Sequence, residues 1–191
     1  MAGRIDNLEN LCGHFLVAMP GMIDPRFSET VIYLCIHNAD GAMGLVVNRP
    51  LEREGFSMLL KRLSIEAVEP SSGINIFSGG PVEVDRGFIL HSLEYIKKTT
   101  ISVDDKIGLT ATIDIIQDIA LGSGPKKSLV ILGYAGWGAG QLEEEVKRNG
   151  WLHVEGDSDI LFNIEPEKKW KYAISKIGID PVMLSSDIGH A

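Results

Sequence analysis

Apolar residues along the chain fall in short runs separated by turn-forming residues, a pattern that predicts β-strands. The clearest run is Thr30–His37, whose β-branched and aromatic residues are apolar on both alternating faces, as in a central strand that is covered on both sides. The turn Asn38–Gly41 follows, and Ala42–Asn48 is predicted to be the returning strand of a hairpin. Further strands are predicted at Phe15–Met19, Ile74–Phe77, Arg86–His91 and Leu129–Tyr134.

Helical spacing of apolar residues predicts four helices among these strands. The last, Pro166–Ile177, places Trp170 and Ile174 on one face and leaves Lys168, Lys169 and Lys171 on an opposite, solvated face. The others are Phe56–Leu63, a helix capped by Thr112 and ended by Gly122, and Gly140–Asn149. Because a hairpin interrupts strict strand–helix alternation, the pattern favours an α+β fold with a mixed sheet.

Composition indicates one globular domain over residues 1–191. The chain is 45% hydrophobic and 23% charged, and its length is enough for a core without disulfide or metal staples. Its two cysteines, Cys12 and Cys35, are too few for a disulfide framework. We find no signal peptide and no run of about 18 apolar residues, so the sequence predicts a cytoplasmic protein without membrane contact.

The formal charge of −8 disfavours partners that are themselves polyanions. Lysines gather only in short groups, and no helix-turn-helix pattern accompanies them. Direct DNA binding is therefore not expected.

A glycine-rich run, Gly133–Gly140, lies between a predicted strand and a predicted helix, the position of phosphate-binding loops. Its spacing matches neither the P-loop nor the dinucleotide-binding pattern, and the glutamates that follow would repel a phosphate. The run is interpreted as a sharp turn in which Trp137 is either a packing anchor or an exposed contact. Gly136 and Trp137 are accordingly candidate binding residues.

Two other constellations are weaker. Cys35 and His37 share a strand face, but neighbours two apart on a strand lie nearly 7 Å apart at the backbone, so a buried structural cysteine is the preferred interpretation. His14, His37 and His91 each stand at a predicted strand end and could converge, yet no spacing motif supports a metal site. We assign no metal, cofactor or catalytic residue.

Polar side chains that flank strands and turns are the stronger candidates. His37, Asn48, Arg49 and Arg86 are proposed to surround a loop pocket, since arginines in loops fork onto carboxylates of a ligand, of a partner or of their own chain.

Three segments and the end of the chain resemble the AlgH/YqgE family of bacterial proteins. They are Gly13–Leu51, Phe77–Ser92, Leu132–Leu152 with its string GYAGWGAGQLE, and the ending GIDPVMLSSDIGHA. The resemblance implies an α+β fold with a mixed, partly closed sheet flanked by helices. It also implies a family described as uncharacterised or as regulators of transcription, and it brings no catalytic residues.

The sequence thus favours a non-catalytic binding or regulatory protein that contacts another protein or a small ligand and affects transcription indirectly. The alternative is an enzyme that binds a small molecule or nucleotide in the pocket around His37, Asn48, Arg49 and Arg86.

Overall fold

The computed structural model describes residues 10–68 and 74–179, without the side chains of residues 52–54. His190 and the end of the family-like tail therefore lie outside the described residues. The strands are β1 (Phe15–Ala18), β2 (Val31–Asn38), β3 (Gly41–Val46), β4 (Pro50–Gly55), β5 (Asn75–Ser78), β6 (Val82–Ser92), β7 (Ile101–Ser102), β8 (Ile107–Thr110), β9 (Ser128–Gly138) and β10 (Trp151–Val154). The helices are α1 (Phe56–Arg62), α2 (Ile113–Ala120), α3 (Gln141–Lys147), α4 (Ser158–Phe162) and α5 (Pro166–Lys176).

The ten strands form one curled sheet that closes partway into a barrel. Eight of them follow the order β10-β1-β2-β3-β9-β6-β8-β7, and every pairing along this path is antiparallel. β5 lies parallel to β9 and antiparallel to β4. The predicted α+β fold with a mixed, partly closed sheet is confirmed.

Side chains of β1 show how both faces of the sheet are covered. Phe15 and Val17 join a core with Trp170 and Ile174 of α5, whereas Leu16 joins a second core on the opposite face. The second core contains Trp137, Leu142 and Trp151, and a third contains the apolar faces of α1 and α2. The prediction of a central strand near residues 30–37 is confirmed, because β2 is buried on both faces.

The glycine-rich run is strand, not loop, which corrects the predicted sharp turn over residues 133–140. β9 continues through it to Gly138, and Gly133 sits within the strand at φ 74°, a left-handed value that glycine adopts without strain. The pairing of β9 with β6 shifts register here, between Leu132 and Tyr134. Val130 and Leu132, before the shift, belong to the third core, and Trp137, after it, belongs to the second.

Lys169 is buried, which corrects the prediction that the lysines of the last helix are all solvated. Its residue surface is 2% exposed, and its Nζ donates to the carbonyl oxygens of Leu161 at 2.7 Å and Val47 at 3.1 Å. Burial lowers the pKa of this amine to about 8. The prediction was wrong because α5 is covered by α4 on a side that the apolar stripe alone does not reveal.

Candidate ligand-binding cleft

A cavity of about 470 Å³ opens beside α3, within the size range of ligand pockets. We call it the Trp cleft. Its lining comes from the ends of β9 and β10, from α3, from the start of β6 and from the β1–β2 loop (residues 19–30): Met22, Asp24, Arg26, Phe27, Pro81, Val82, Ala135, Gly136, Trp137, Gln141, Glu145, Arg148, Gly150 and Trp151.

Two tryptophans form the floor of the cleft. Trp137 of β9 and Trp151 of β10 pack edge to face, with their ring centroids 6.1 Å apart. Both indole N–H groups donate to one oxygen, Oε2 of Glu145, at 3.0 Å from Trp137 and 2.9 Å from Trp151. A single carboxylate therefore fixes the orientation of both rings.

Helix α3 forms one wall of the cleft, and its polar side chains complete the hydrogen-bond network around Glu145. Gln141 Nε2 donates to Glu145 Oε1 at 2.9 Å, and Gln141 Oε1 accepts from the Gly138 backbone N–H at 3.0 Å. Gln141 and Glu145 are four residues apart and so lie on the same face of the helix. The two Glu145 oxygens thus have three N–H donors between them, which makes the floor a preorganised unit.

The other wall is the β1–β2 loop. Phe27 packs edge to face on Trp151, with ring centroids 5.7 Å apart, and the Arg26 guanidinium lies 5.7 Å from the centre of the Phe27 ring. Arg26 also binds Asp24 through Nε and Nη2, at 2.7 Å for the shortest contact. These hydrogen bonds from Arg26 lower the pKa of the Asp24 carboxyl.

Two predicted site residues hold this loop in place rather than line the cleft. Asn48 Nδ2 donates to the Glu29 carbonyl at 2.9 Å and its Oδ1 accepts from the Val31 N–H at 2.9 Å. Arg49 Nη2 donates to the Ser28 carbonyl at 2.8 Å. These hydrogen bonds from Asn48 and Arg49 hold Glu29 at φ 53°, a left-handed value that costs a residue with a side chain about 1 kcal/mol or more.

His37 connects α3 to the sheet. Its Nδ1 accepts from the Leu11 N–H at 3.0 Å, so the other ring nitrogen, Nε2, carries the proton that is donated to Glu143 Oε1 at 3.0 Å. The backbone N–H of Glu143 and the His37 ring together lower the pKa of the Glu143 carboxyl. With both nitrogens engaged and its side chain 2% exposed, His37 positions the helix and offers no base to a substrate.

Arg86 lies at a different cavity. That cavity, about 340 Å³, is lined mainly by apolar side chains such as Ile36, Phe88 and Ile101. The Arg86 guanidinium binds Glu83 at 2.9 Å and lies 5.2 Å from the centre of the Phe88 ring. The structure therefore does not gather His37, Asn48, Arg49 and Arg86 around one pocket: Gly136 and Trp137 line the Trp cleft, and His37, Asn48 and Arg49 support its walls.

Cys35 and the three histidines considered as a reactive thiol and as metal ligands make structural contacts instead. Cys35 is buried, its Sγ donates to the Tyr33 carbonyl at 3.5 Å, and burial raises the pKa of the thiol, which disfavours a reactive thiolate. The three histidines do not converge, since His91 Nε2 bonds Thr110 and His14 lies beside His153. Within residues 10–68 and 74–179, no three His, Cys, Asp or Glu side chains are placed to hold a metal ion.

Comparison with known protein families shows which family the chain belongs to. The family described as DUF179, AlgH-like, matches residues 15–182. The chain belongs to the AlgH-like family. A UPF0301 protein of Rhodospirillum rubrum is 50% identical over 181 residues, covering 95% of this chain and 94% of that protein. Another from Rhodopseudomonas palustris is 46% identical and covers 100% of this chain and 91% of that protein.

Solved structures of similar proteins agree with the fold. The solution structure of the AlgH protein from Pseudomonas aeruginosa superposes with a TM-score of 0.77 at 41% identity, covering 99% of this chain and 100% of that one. A crystal structure of a Corynebacterium diphtheriae protein, at 15% identity, has the same fold with a TM-score of 0.74, covering 95% of this chain and 94% of that one. The string GYAGWGAGQLE, one of those on which the family resemblance rested, supplies Gly136, Trp137 and Gln141 to the Trp cleft.

Glu145 is a cleft residue that the sequence did not single out. In the sequence it is one of three consecutive glutamates, Glu143–Glu145, whose charge argues against a phosphate ligand. Two signals point to its role: tryptophan N–H groups need acceptors when buried, and Gln141 and Glu145 have the spacing of one helix face.

Proposed function

We propose that this protein is a non-catalytic binding protein that receives a small ligand or a segment of another protein in the Trp cleft, and that it acts in the cytoplasm as an indirect regulator of transcription. The observation that carries the proposal is the floor of the cleft, where one carboxylate holds two indoles in fixed orientation beside a cavity of about 470 Å³. A pocket that is already ordered binds without the entropic cost of ordering its side chains.

The polar groups of the cleft support binding rather than catalysis. Glu145 accepts three N–H donors, Asp24 is paired with Arg26, and both nitrogens of the nearby His37 are engaged. A general base needs a free lone pair within reach of its substrate, and most of the lone pairs of these groups are engaged by the protein itself. The alternative of an enzyme around His37, Asn48, Arg49 and Arg86 has less support, since these residues face no common cavity.

An acidic chain also favours partners other than nucleic acid. The formal charge is −8, and among the described residues no helix is both long and apolar enough to cross a membrane. We therefore include short duplex DNA in the test as a class that should not bind at physiological salt.

The test is a thermal-shift screen of fragment-sized compounds, common metabolites, nucleotides and duplex DNA on three proteins. The first is the wild type. The second is Val82→Phe, which places a larger side chain at a residue that lines the cleft and is 36% exposed. The third is Leu121→Phe, a matched control at a position 54% exposed after α2.

We expect compounds that raise the Tm of the wild type and of Leu121→Phe but not of Val82→Phe. A ligand at about 100 times its Kd adds roughly 2.7 kcal/mol, a shift of several degrees. If Val82→Phe responds as the wild type does, the ligand binds elsewhere and the proposal is wrong. A screen without any stabilising compound would contradict a small ligand, and a shift with DNA would contradict an indirect role.

A further inference from the structure

A second cavity lies next to the Trp cleft. This neighbour, about 250 Å³, has Arg26 and Pro81 in common with the cleft and adds Arg49 and Val84 to the lining. We call the two cavities together the joined groove. Arg148 lines only the first cavity and Arg49 only the second. A ligand that contacts both arginines must therefore extend along the groove.

The cations of the joined groove are all arginines. The chain has seven arginines and eleven lysines, yet three arginines and no lysine line the two cavities. A guanidinium is a planar fork that matches a carboxylate, whereas an ammonium is a point charge. The choice of arginine favours a ligand with carboxylates.

The two acidic side chains of the groove do not cancel this preference. Asp24 and Arg26 neutralise each other, and both oxygens of Glu145 accept hydrogen bonds from the protein, so Arg49 and Arg148 are the cations left for a ligand. Arg148 is the more available cation: its side chain is 81% exposed, and its ion pair with Glu144, at 3.6 Å, lies on the helix surface. A pair this exposed contributes little, so a ligand carboxylate can replace it at small cost.

Resting on the proposed function, we infer that the ligand is an acidic peptide segment of another protein that lies extended in the joined groove. A large apolar side chain of the peptide enters the Trp cleft, where Met22, Phe27 and Val82 supply apolar surface. Aspartate or glutamate side chains on either side of that anchor meet Arg148 in one cavity and Arg49 in the other. The apolar anchor supplies affinity, and the arginine forks select the acidic sequence.

The experiment begins with a library of random dodecapeptides displayed on phage and selected against the immobilised full-length protein. We expect enriched sequences that combine an aromatic or large aliphatic residue with neighbouring acidic residues. The best peptide is then synthesised with a fluorescent label, and its Kd is measured by anisotropy at two salt concentrations. Its counterpart with every glutamate and aspartate changed to the amide is measured in parallel.

Arg148→Ala should weaken binding at least fivefold, and the amide peptide should bind at least tenfold more weakly than the acidic one. The matched control is Arg86→Ala, which removes another exposed, ion-paired arginine outside the joined groove and should leave Kd unchanged. No enrichment, a neutral or basic consensus, or equal losses in the two variants overturns the inference. If the peptides fail while fragments still stabilise the wild type but not Val82→Phe, the inference falls and the proposed function stands. If both fail, both fall.

Discussion

Replacing Glu145 by alanine removes the carboxylate that holds both indoles of the Trp cleft. The change deletes the hydrogen bonds from Trp137 at 3.0 Å, Trp151 at 2.9 Å and Gln141 at 2.9 Å. Trp137 and Trp151 are only 7% and 4% exposed, so their N–H groups lose a partner in a largely buried setting, at about 1–3 kcal/mol each. Water that enters the open cleft replaces part of this bonding, and we expect a net loss of about 2–4 kcal/mol in the free energy of unfolding.

The assay is equilibrium denaturation in urea, followed by far-ultraviolet circular dichroism and by tryptophan fluorescence. A loss of about 3 kcal/mol corresponds to a fall in Tm of about 10 °C for a chain of this size. Glu145→Gln keeps an oxygen for the indoles but places an amide N–H₂ beside Gln141, and should cost about 1 kcal/mol.

The matched control is Glu144→Ala, one residue earlier on the same helix, where the side chain is 69% exposed and only reaches Arg148 at 3.6 Å. It should change stability by less than about 0.5 kcal/mol. If Glu145→Ala is within about 1 kcal/mol of Glu144→Ala, the carboxylate does not hold the floor of the cleft and the reasoning is refuted.

Three further predictions concern groups that the fold buries or clamps. The Lys169 amine has a pKa of about 8 in the folded protein, below its value of 10.5 in the unfolded chain, so the unfolded chain binds more protons between these two pH values. The free energy of unfolding of the wild type, relative to that of Lys169→Met, should therefore rise by about 3 kcal/mol from pH 8 to pH 10.5 when both are measured by urea denaturation. A difference that stays constant over this range would contradict the prediction. Burial lowers the pKa of His91, so the free energy of unfolding of the wild type should fall as the pH drops below about 6.5, by at most about 1.4 kcal/mol per pH unit. This fall should be steeper than in His91→Gln. If the two proteins lose stability with pH in parallel, His91 is not the cause. Arg49→Ala should lower the free energy of unfolding by about 1 kcal/mol and speed amide hydrogen exchange in the β1–β2 loop, because it removes the hydrogen bond to the Ser28 carbonyl. Arg86→Ala, the control, should leave exchange in this loop unchanged. Equal exchange in the two variants would show that Arg49 does not hold the loop.

Much of the fold could be predicted because the decisive signals are local. The apolar run of β2 predicts a strand and the apolar stripe of α5 predicts a helix without reference to the rest of the chain. Pro166 begins that helix, at a position where its fixed φ is tolerated. The strand through Gly133–Gly138 could not be predicted in this way, because glycines usually signal a turn. The backbone beside β9 requires one of them: a Cβ on Gly133 would lie 2.7 Å from the Gly80 carbonyl oxygen.

The candidate site was only partly accessible to sequence reasoning. Trp137 and Gly136 were identified from their motif, and they do line the cleft. Asn48 and Arg49 were identified as loop residues with binding chemistry, but they bind the β1–β2 loop of their own chain, a use that depends on contacts about 20 residues away. Glu145 of α3 and Trp151 of β10 meet across the turn between them. Helical spacing pairs Glu145 with Gln141, but no spacing in the sequence pairs it with Trp151.

Binding in the Trp cleft is tested most directly by the three indole N–H signals of an ¹⁵N-labelled sample when a stabilising fragment or a selected peptide is added. Trp137 and Trp151 report on the cleft, and Trp170, whose Nε1 donates to the Ala18 carbonyl at 2.9 Å from the opposite face of the sheet, is the internal reference. We expect both cleft signals to shift in saturable fashion while the Trp170 signal stays in place. Saturable binding that moves the Trp170 signal, or none of the three, would show that the ligand binds elsewhere and that the Trp cleft is not the binding site.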